Sequence, residues 1–174
     1  LTEDLKHSLQ ERVQSLQRVS FLEGMGTLYD KVQRLERLVT YLAAELPNLG
    51  EDTVKVAQRA AHLSKADLVT LMVGDTKLGE LQGVIGGEYA LRLGEDQAVA
   101  DAIAEHYRPR GAGDTLPQTP AGTLLSISDK MDNLTACFRL GAAPTGSTDP
   151  FALRRQTQGV LEMLLASKLH LDIR

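Results

Sequence analysis

The chain has 174 residues, of which 43% are hydrophobic and 24% charged, and its formal net charge is −4. This length suits one globular domain with a substantial core, and the acidic balance excludes a chain that is basic overall, although a locally basic face stays compatible with it. Cys137 is the only cysteine, which excludes a disulfide framework and a cysteine-based zinc site and fits a reducing, cytoplasmic location. Since no apolar run approaches the ~20 residues of a membrane span, we expect no membrane partner.

Apolar residues recur at helical spacing over 5–16 and again over 28–42, which predicts two amphipathic helices. The second pattern ends at the proline–glycine break LPNLG. Asp52 or Thr53 can cap a third helix, which we expect to run through 53–73. The chain begins within a helical pattern and without methionine, so we expect it to be a fragment of a longer protein.

The second half of the chain has further helical patterns. They predict helices from about Glu88, over 95–107, over about 121–138, and from Asp149 and Pro150 to about Leu169. The intervening segment RPRGAGDTLPQTP is expected to be a loop because of its proline and glycine content. Asp149 supplies an N-cap acceptor, and Pro150 suits the first helical position. With no alternating strand pattern and no internal repeat, the sequence predicts an all-α domain.

Two residues of the second half have the chemistry of metal ligands. His106 shares a helical face with Val99 and Ile103, so we expect it to face inward. Asp129 shares a stripe with Leu125, and a partly buried carboxylate there needs a cation or hydrogen-bond donors. The pair could bind a metal, or it could be a hydrogen-bonded core histidine and an aspartate that caps backbone. Two ligands fall short of the three or more that a catalytic metal site usually needs.

The order of these segments resembles the HD superfamily of metal-dependent phosphohydrolases, which have a first-helix histidine, a His-Asp pair and a distant aspartate. In this chain AAHLSKADL has Ser64 and Lys65 in place of the pair, and SISDKMD supplies the distant aspartate as Asp129. The first-helix ligand would lie near 28–30, where there is no histidine. The resemblance implies an HD-like helical bundle with a degenerate metal site and no bound metal. The vestigial positions are Ser64, Lys65, His106 and Asp129.

Lys65 offers a physical account of the lost metal. An ammonium in place of a ligand can supply Asp129 with the positive charge that a metal would otherwise provide. We therefore hypothesise an ion pair between Lys65 and Asp129, direct or through water. The alternative is that Lys65 points into solvent.

Longer motifs resemble a narrower family. They are FLEGMGTLYDKVQRLERL, LSKADLVTLMV, ELQGVIGGEYA, VADAIAEHYRPRGAGDTLP, SDKMDNL and PTGSTDPFALRR. Together, from about Phe21 to Leu165, they resemble the β subunit of bacterial heterotetrameric glycyl-tRNA synthetase. One departure is GDTKLGELQG, which is longer than the family's segment and lacks its phenylalanine.

This resemblance implies an intact enzyme that attaches glycine to its tRNA with ATP and Mg²⁺, with the adenylation site in the α subunit. We expect 1–174 to be one HD-like domain of the β subunit, with a leading helix over about 1–20 and a core over about 21–170. The domain itself is expected to have no catalytic residue and no cofactor. Its expected partners are glycine tRNA, the α subunit and the other β-subunit domains, and neither DNA nor a membrane.

Five cations are candidates for contact with RNA phosphates: Arg108, Arg110, Lys130, Arg154 and Arg155. The two arginine pairs adjoin glycine-rich loops, where backbone N–H groups can also approach phosphates. Lys130 flanks the vestigial pocket. Alternatively, the second arginine pair binds Asp149 or other acids and fixes its loop.

Two rival functions stay open at this point. One is a working HD phosphohydrolase that cleaves nucleotide phosphoesters through a metal-activated water, for which the sequence offers at most His106, Asp129 and Asp132 as ligands. The other is a purely structural spacer between domains. Salt-dependent tRNA binding that is lost with the arginine pairs would exclude the spacer.

Overall fold

The computed structural model describes residues 3–46, 49–74 and 81–167. In these ranges the chain forms eight α helices and three short 3-10 segments and no β strand, which confirms the predicted all-α class. The helices are α1 (Leu9–Ser15), α2 (Leu28–Ala44), α3 (Glu51–Leu63), α4 (Leu71–Gly74), α5 (Val84–Arg92), α6 (Gln97–Glu105), α7 (Pro120–Arg139) and α8 (Leu153–Ser167). No described helix is both long enough and apolar enough to cross a membrane.

The first two helices begin at capping boxes that the sequence encodes locally. The Ser8 hydroxyl accepts the Glu11 backbone N–H, and the Glu11 carboxylate accepts the Ser8 N–H in return. Thr27 and Asp30 make the same reciprocal pair at the start of α2. Each box satisfies N–H groups that a helix N-terminus otherwise leaves unpaired.

The predicted third helix over 53–73 is wrong as a continuous helix. It starts after Gly50, not after Asp52 or Thr53, and α3 ends at Leu63. Lys65 has φ −109° and ψ 2°, and a 3-10 turn over Ala66–Val69 separates α3 from α4. The break turns Lys65 away from the helix surface into the interior, where it is 2% exposed.

Two other helix starts differ from their predicted positions. Helix α5 begins at Val84 because Gly83 adopts φ +81°, which glycine tolerates, and donates its N–H to the buried Asp67 carboxylate at 2.7 Å. Helix α8 begins at Leu153. As predicted, Asp149 is an acceptor at the start of this helix: its carboxylate accepts hydrogen bonds from the backbone N–H groups of Leu153 and Arg154. Pro150 lies in the preceding turn and not at the predicted first helical position. The predicted end near residue 169 lies outside the described residues.

The predicted leading helix is interrupted as well. Short 3-10 turns over Asp4–Lys6 and Leu16–Arg18 flank α1. Leu9 and Val13 of α1 pack into the same hydrophobic cluster as Leu35 of α2, so the leading segment is part of the main core. The division into a leading helix over 1–20 and a core over 21–170 stays a prediction.

Helix α7 lies at the centre of the domain and packs against α2, α3, α6 and α8. It is buried on most of its circumference, and the buried residues include the ionisable Asp129, Lys130 and Asp132. Charged side chains on such a helix must find partners inside the protein. The central position of α7 therefore places an ionised cluster in the interior.

Candidate functional site

The Lys65 ammonium lies between two of the positions singled out from the sequence. Its Nζ atom is 3.1 Å from Asp129 Oδ2 and 2.8 Å from His106 Nε2. It also lies 4.1 Å from the centre of the Tyr107 ring, within the range of a cation–π interaction. The hypothesised ion pair between Lys65 and Asp129 is confirmed, and the solvent-facing alternative for Lys65 is wrong.

A second lysine, Lys31 of α2, approaches the cluster from the other side. Its Nζ is 2.9 Å from Asp129 Oδ1, 2.9 Å from Asp132 Oδ2 and 2.8 Å from Asn133 Oδ1. The guanidinium of Arg34, one turn further along α2, donates hydrogen bonds to both carboxylate oxygens of Asp132, at 2.6 and 3.2 Å. Two buried carboxylates are thus held by three cations.

Sequence reasoning missed Lys31, although a signal for it existed. Lys31 shares the buried face of α2 with Leu35 and Val39, at the i, i+4, i+8 spacing of a core stripe. A lysine in such a stripe needs an internal anion, because an unpaired buried charge is strongly unfavourable. Periodicity could therefore have marked Lys31 as an ion-pair residue without identifying its partner.

The surroundings set the protonation states of the cluster. Burial opposes the charged form of Asp129, but Lys31 and Lys65 outweigh it and hold the pKa of Asp129 well below its usual range. Burial, reinforced by the neighbouring charge of Lys65, lowers the pKa of His106 well below its usual value. A neutral His106 fits its contacts: Nδ1–H donates to the Ile103 carbonyl at 2.6 Å, and Nε2 accepts from Lys65.

These residues do not fit a metal centre. The donor atoms of Asp129 and His106 that face the interior are taken by the Lys31 and Lys65 ammonium groups, and a metal ion there would meet two positive charges. Within 3–46, 49–74 and 81–167, no three His, Cys, Asp or Glu residues are grouped so that they could hold a metal. Ser64 is not part of the cluster, because its hydroxyl donates to the Ala61 carbonyl of its own helix. Descent from an HD metal site stays a prediction.

Lys130 is a structural cation in this fold. It is 4% exposed, and its ammonium donates to the Ser126 hydroxyl at 2.9 Å and the Arg108 carbonyl at 3.0 Å. Burial lowers the pKa of Lys130 to about 8, and the nearby positive charge of Lys65 adds to this effect. We therefore remove Lys130 from the residues that could reach RNA directly, since its ammonium is committed to the loop after α6.

A cavity of about 290 Å³ opens above this cluster, between the loop after α6, helix α7 and the start of α8. It is lined by Gln82, Tyr107, Pro109, Arg110, Asp129, Lys130, Asn133, Ala152, Arg155 and Gln156. Arg110 and Arg155, 45 positions apart in the sequence, line the same opening. The Arg110 guanidinium donates to the Gln82 carbonyl at 2.7 Å. The structure thus brings one arginine of each predicted pair to a polar cavity whose floor is the ionised cluster.

The other two arginines lie outside the lining of this cavity. Arg154 is exposed on α8, and Arg108 is half-buried. The loop before α8 is fixed through backbone, since Asp149 accepts the N–H groups of Leu153 and Arg154. Among the described residues, no salt bridge joins Asp149 to the side chains of Arg154 or Arg155. Against the effect of burial, the backbone N–H groups of Arg154 and Leu153 lower the pKa of Asp149, and the charges of Arg154 and Arg155 lower it further. The predicted attraction between these arginines and Asp149 is therefore present at longer range than a salt bridge.

Fold and site together define an all-helical domain with an ionised interior that opens into a polar, arginine-lined cavity. The family described as "Glycyl-tRNA synthetase beta subunit" matches residues 1–174. The chain belongs to this family.

Curated relatives agree with this membership over nearly the whole chain. The glycine–tRNA ligase beta subunit of Desulforamulus reducens is 51% identical over 172 residues, which are 99% of this chain and 24% of that protein. The corresponding subunits of Halothermothrix orenii and Clostridioides difficile are 50% and 49% identical over 98% and 99% of this chain, and again 24% of each is covered. The chain therefore spans about a quarter of the length of these relatives.

Proposed function

We propose that this domain engages glycine tRNA within a glycyl-tRNA synthetase, through the arginine-lined opening of the cavity. The observation that carries the proposal is the convergence of Arg110 and Arg155 on one cavity, whose floor is formed by Asp129 and Lys130. Arginine side chains suit phosphate recognition, and such contacts position a nucleic acid without reading its sequence. A locally cationic opening can bind RNA although the whole chain carries a net charge of −4.

In the same proposal the domain supports a reaction that takes place elsewhere. The α subunit carries out the ATP- and Mg²⁺-dependent attachment of glycine, and the α subunit and other β-subunit domains are the protein partners, all in the cytoplasm. The domain contributes tRNA contacts and no catalytic residue, and it binds neither DNA nor membrane. The rival HD phosphohydrolase has no support in the cluster, because lysine ammonium groups take the donor atoms that a metal-activated water would need.

The test measures tRNA binding by the intact complex of α subunit and full-length β subunit as a function of salt. Arg155→Gln is the informative variant because Arg155 is exposed on α8, so its replacement leaves the core unchanged. We expect Arg155→Gln to weaken tRNA binding by about 5- to 10-fold at low salt and to reduce the salt slope by about one, as the loss of one phosphate contact does.

Arg37→Gln is the matched control, since Arg37 is an exposed helical arginine on α2 that does not line this cavity. It should leave both the affinity and the salt slope unchanged. If Arg155→Gln behaves like Arg37→Gln, the proposal fails and the domain is a spacer.

A further inference from the structure

The interior beneath the cavity contains both cations and carboxylates. The cations are Lys31, Arg34, Lys65 and Lys130, and the carboxylates are Asp67, Asp129 and Asp132. Of these carboxylates only Asp129 lines the cavity, and its two oxygens lie 2.9 and 3.1 Å from lysine ammonium groups. Three buried lysines thus face three buried carboxylates, and Arg34 adds a partly exposed fourth cation. Burial raises the pKa of Asp67, which weakens the negative charge available to the lysines.

Burial disfavours the charged forms of two lysines of the cluster. Burial lowers the pKa of Lys65 to about 8, against the attraction of Asp129, and Lys31 lowers it further. Lys130, which lines the cavity, is lowered to about 8 in the same way. An anion in the cavity would stabilise the charged form of Lys130 and raise its pKa.

The opening adds to the positive potential. Arg155 contributes its guanidinium at the rim, next to amide side chains of Gln82, Asn133 and Gln156 that can donate hydrogen bonds. The acids of the surrounding loops are engaged by backbone: Asp114 accepts the N–H groups of Arg110 and Thr115, and Asp149 caps α8. The cavity is therefore a pocket for an anion rather than for a cation.

Volume and charge narrow the class of anion. At about 290 Å³ the cavity is slightly smaller than typical small-molecule pockets, about 300–1,000 Å³, which suits one phosphate with its sugar and not a length of duplex. A phosphate monoester carries a charge of about −1.5 to −2 at pH 7 and offers three terminal oxygens. An internal phosphodiester carries one charge, and its chain must continue in both directions.

We propose that this cavity binds a terminal phosphate monoester, the 5′-phosphate of a bound RNA, above the floor formed by Asp129 and Lys130 and beside Arg155. This inference rests on the proposed function, since it names the group of the tRNA that occupies the site. Phosphate oxygens accept hydrogen bonds from Arg155 and from the rim amides, and their charge stabilises the charged form of Lys130.

The experiment compares tRNA that carries a 5′-phosphate with the same tRNA after removal of that phosphate. Both are bound to the intact complex of α subunit and full-length β subunit, as wild type and as Arg155→Gln and Arg37→Gln variants. We expect removal of the phosphate to weaken wild-type and Arg37→Gln binding by about tenfold, and to have little further effect on Arg155→Gln. Such non-additivity indicates that Arg155 and the 5′-phosphate act on each other.

The effects of phosphate removal and of Arg155→Gln test the monoester site and the tRNA-binding function separately. If both tRNAs bind equally while Arg155→Gln weakens each, an internal phosphate occupies the rim, so the monoester inference is overturned and the proposed function stands. If Arg155→Gln has no effect on either tRNA, the proposed function fails as well.

Free phosphate compounds identify the source of the monoester. Inorganic phosphate and AMP are added as competitors to the wild-type complex. If these compounds compete with the 5′-phosphorylated tRNA but not with the dephosphorylated tRNA, the result supports the 5′ end of the RNA as the occupant. Equal binding of both tRNAs together with tight AMP binding that Arg155→Gln abolishes would overturn it in favour of a free nucleotide.

Discussion

Lys65 shows how one residue organises the interior of this domain. Its ammonium binds a carboxylate and a neutral imidazole at the same time, so it fixes Asp129 of α7 and His106 at the end of α6 in one arrangement. Lys31 of α2 contacts the other carboxylate oxygen of Asp129. Buried ion pairs add little net stability over a well-packed apolar interior, but removal of one partner leaves an uncompensated charge. The cluster is therefore sensitive to single substitutions and tolerant of paired ones.

At the residue scale, Asp129→Asn is expected to destabilise the domain by about 3–5 kcal/mol, because it leaves the buried charge of Lys65 without its ion-pair partner and removes one of the two carboxylates that Lys31 contacts. Lys65→Met alone should cost less, since Lys31 still neutralises Asp129. When Lys65→Met and Asp129→Asn are combined, the free energy of unfolding should fall by less than the sum of the two single decreases. The free energy of unfolding from urea titrations checks this; additive losses would show that Lys65 and Asp129 are not energetically coupled.

At the scale of elements, close packing of short helices sets the frame for the site. Helix α5 packs against α6 at Gly87, where an added Cβ would lie 2.6 Å from the Ala100 carbonyl oxygen and 3.0 Å from the Ala104 Cβ. A backbone oxygen cannot move aside as a flexible side chain can. The absence of a side chain at Gly87 therefore lets α6, which ends at His106, sit close to α5.

Gly87→Ala is accordingly expected to destabilise the domain by about 1–3 kcal/mol through overpacking, although alanine is intrinsically the better helix former by about 1 kcal/mol. Gly74→Ala is the matched control, since Gly74 is also helical and no atom of the described part of the chain lies within 4 Å of an added Cβ. Its stability should be unchanged or slightly raised. Thermal unfolding of the two variants tests this, and we expect a lower midpoint temperature for Gly87→Ala than for Gly74→Ala. Similar midpoint temperatures would contradict the packing account.

At the scale of the whole molecule, the cluster links folding to pH. The pKa of His106 is well below 6.5 in the folded chain, so below about pH 6.5 the unfolded chain binds a proton that the folded chain does not. The pKa of Asp129 is also lowered on folding, so a second proton is bound only by the unfolded chain below about pH 4. Stability from both groups is therefore present at neutral pH and is lost as the pH falls.

We expect the free energy of unfolding to decrease between pH 6.5 and 5 with a slope of up to about 1.4 kcal/mol per pH unit from His106. His106→Gln should flatten this part of the profile, because glutamine has no titrating group but can still accept from Lys65. His7→Gln is the control, since His7 is exposed. Urea unfolding at a series of pH values measures the effect, and an unchanged slope in His106→Gln would refute it.

Local sequence determined most of the helices and the faces that they bury, but not the break within the predicted helix over 53–73. The apolar stripes and the loop after α6 are properties of a few neighbouring residues, so periodicity and turn chemistry predict them. The same stripes predicted correctly that His106 and Asp129 face inward, where they are 0% and 4% exposed. The long motifs also indicated the family that the comparisons then showed.

Tertiary structure alone decided which of these residues meet. Lys65 is buried just beyond the end of α3, and no local pattern encodes a partner that lies 64 positions further along the chain. Lys31 reaches Asp129, and Arg155 joins Arg110, because α7 and α8 fold back across the earlier helices. A helical stripe specifies that a side chain points inward but not what it touches there, since that depends on how separate helices pack.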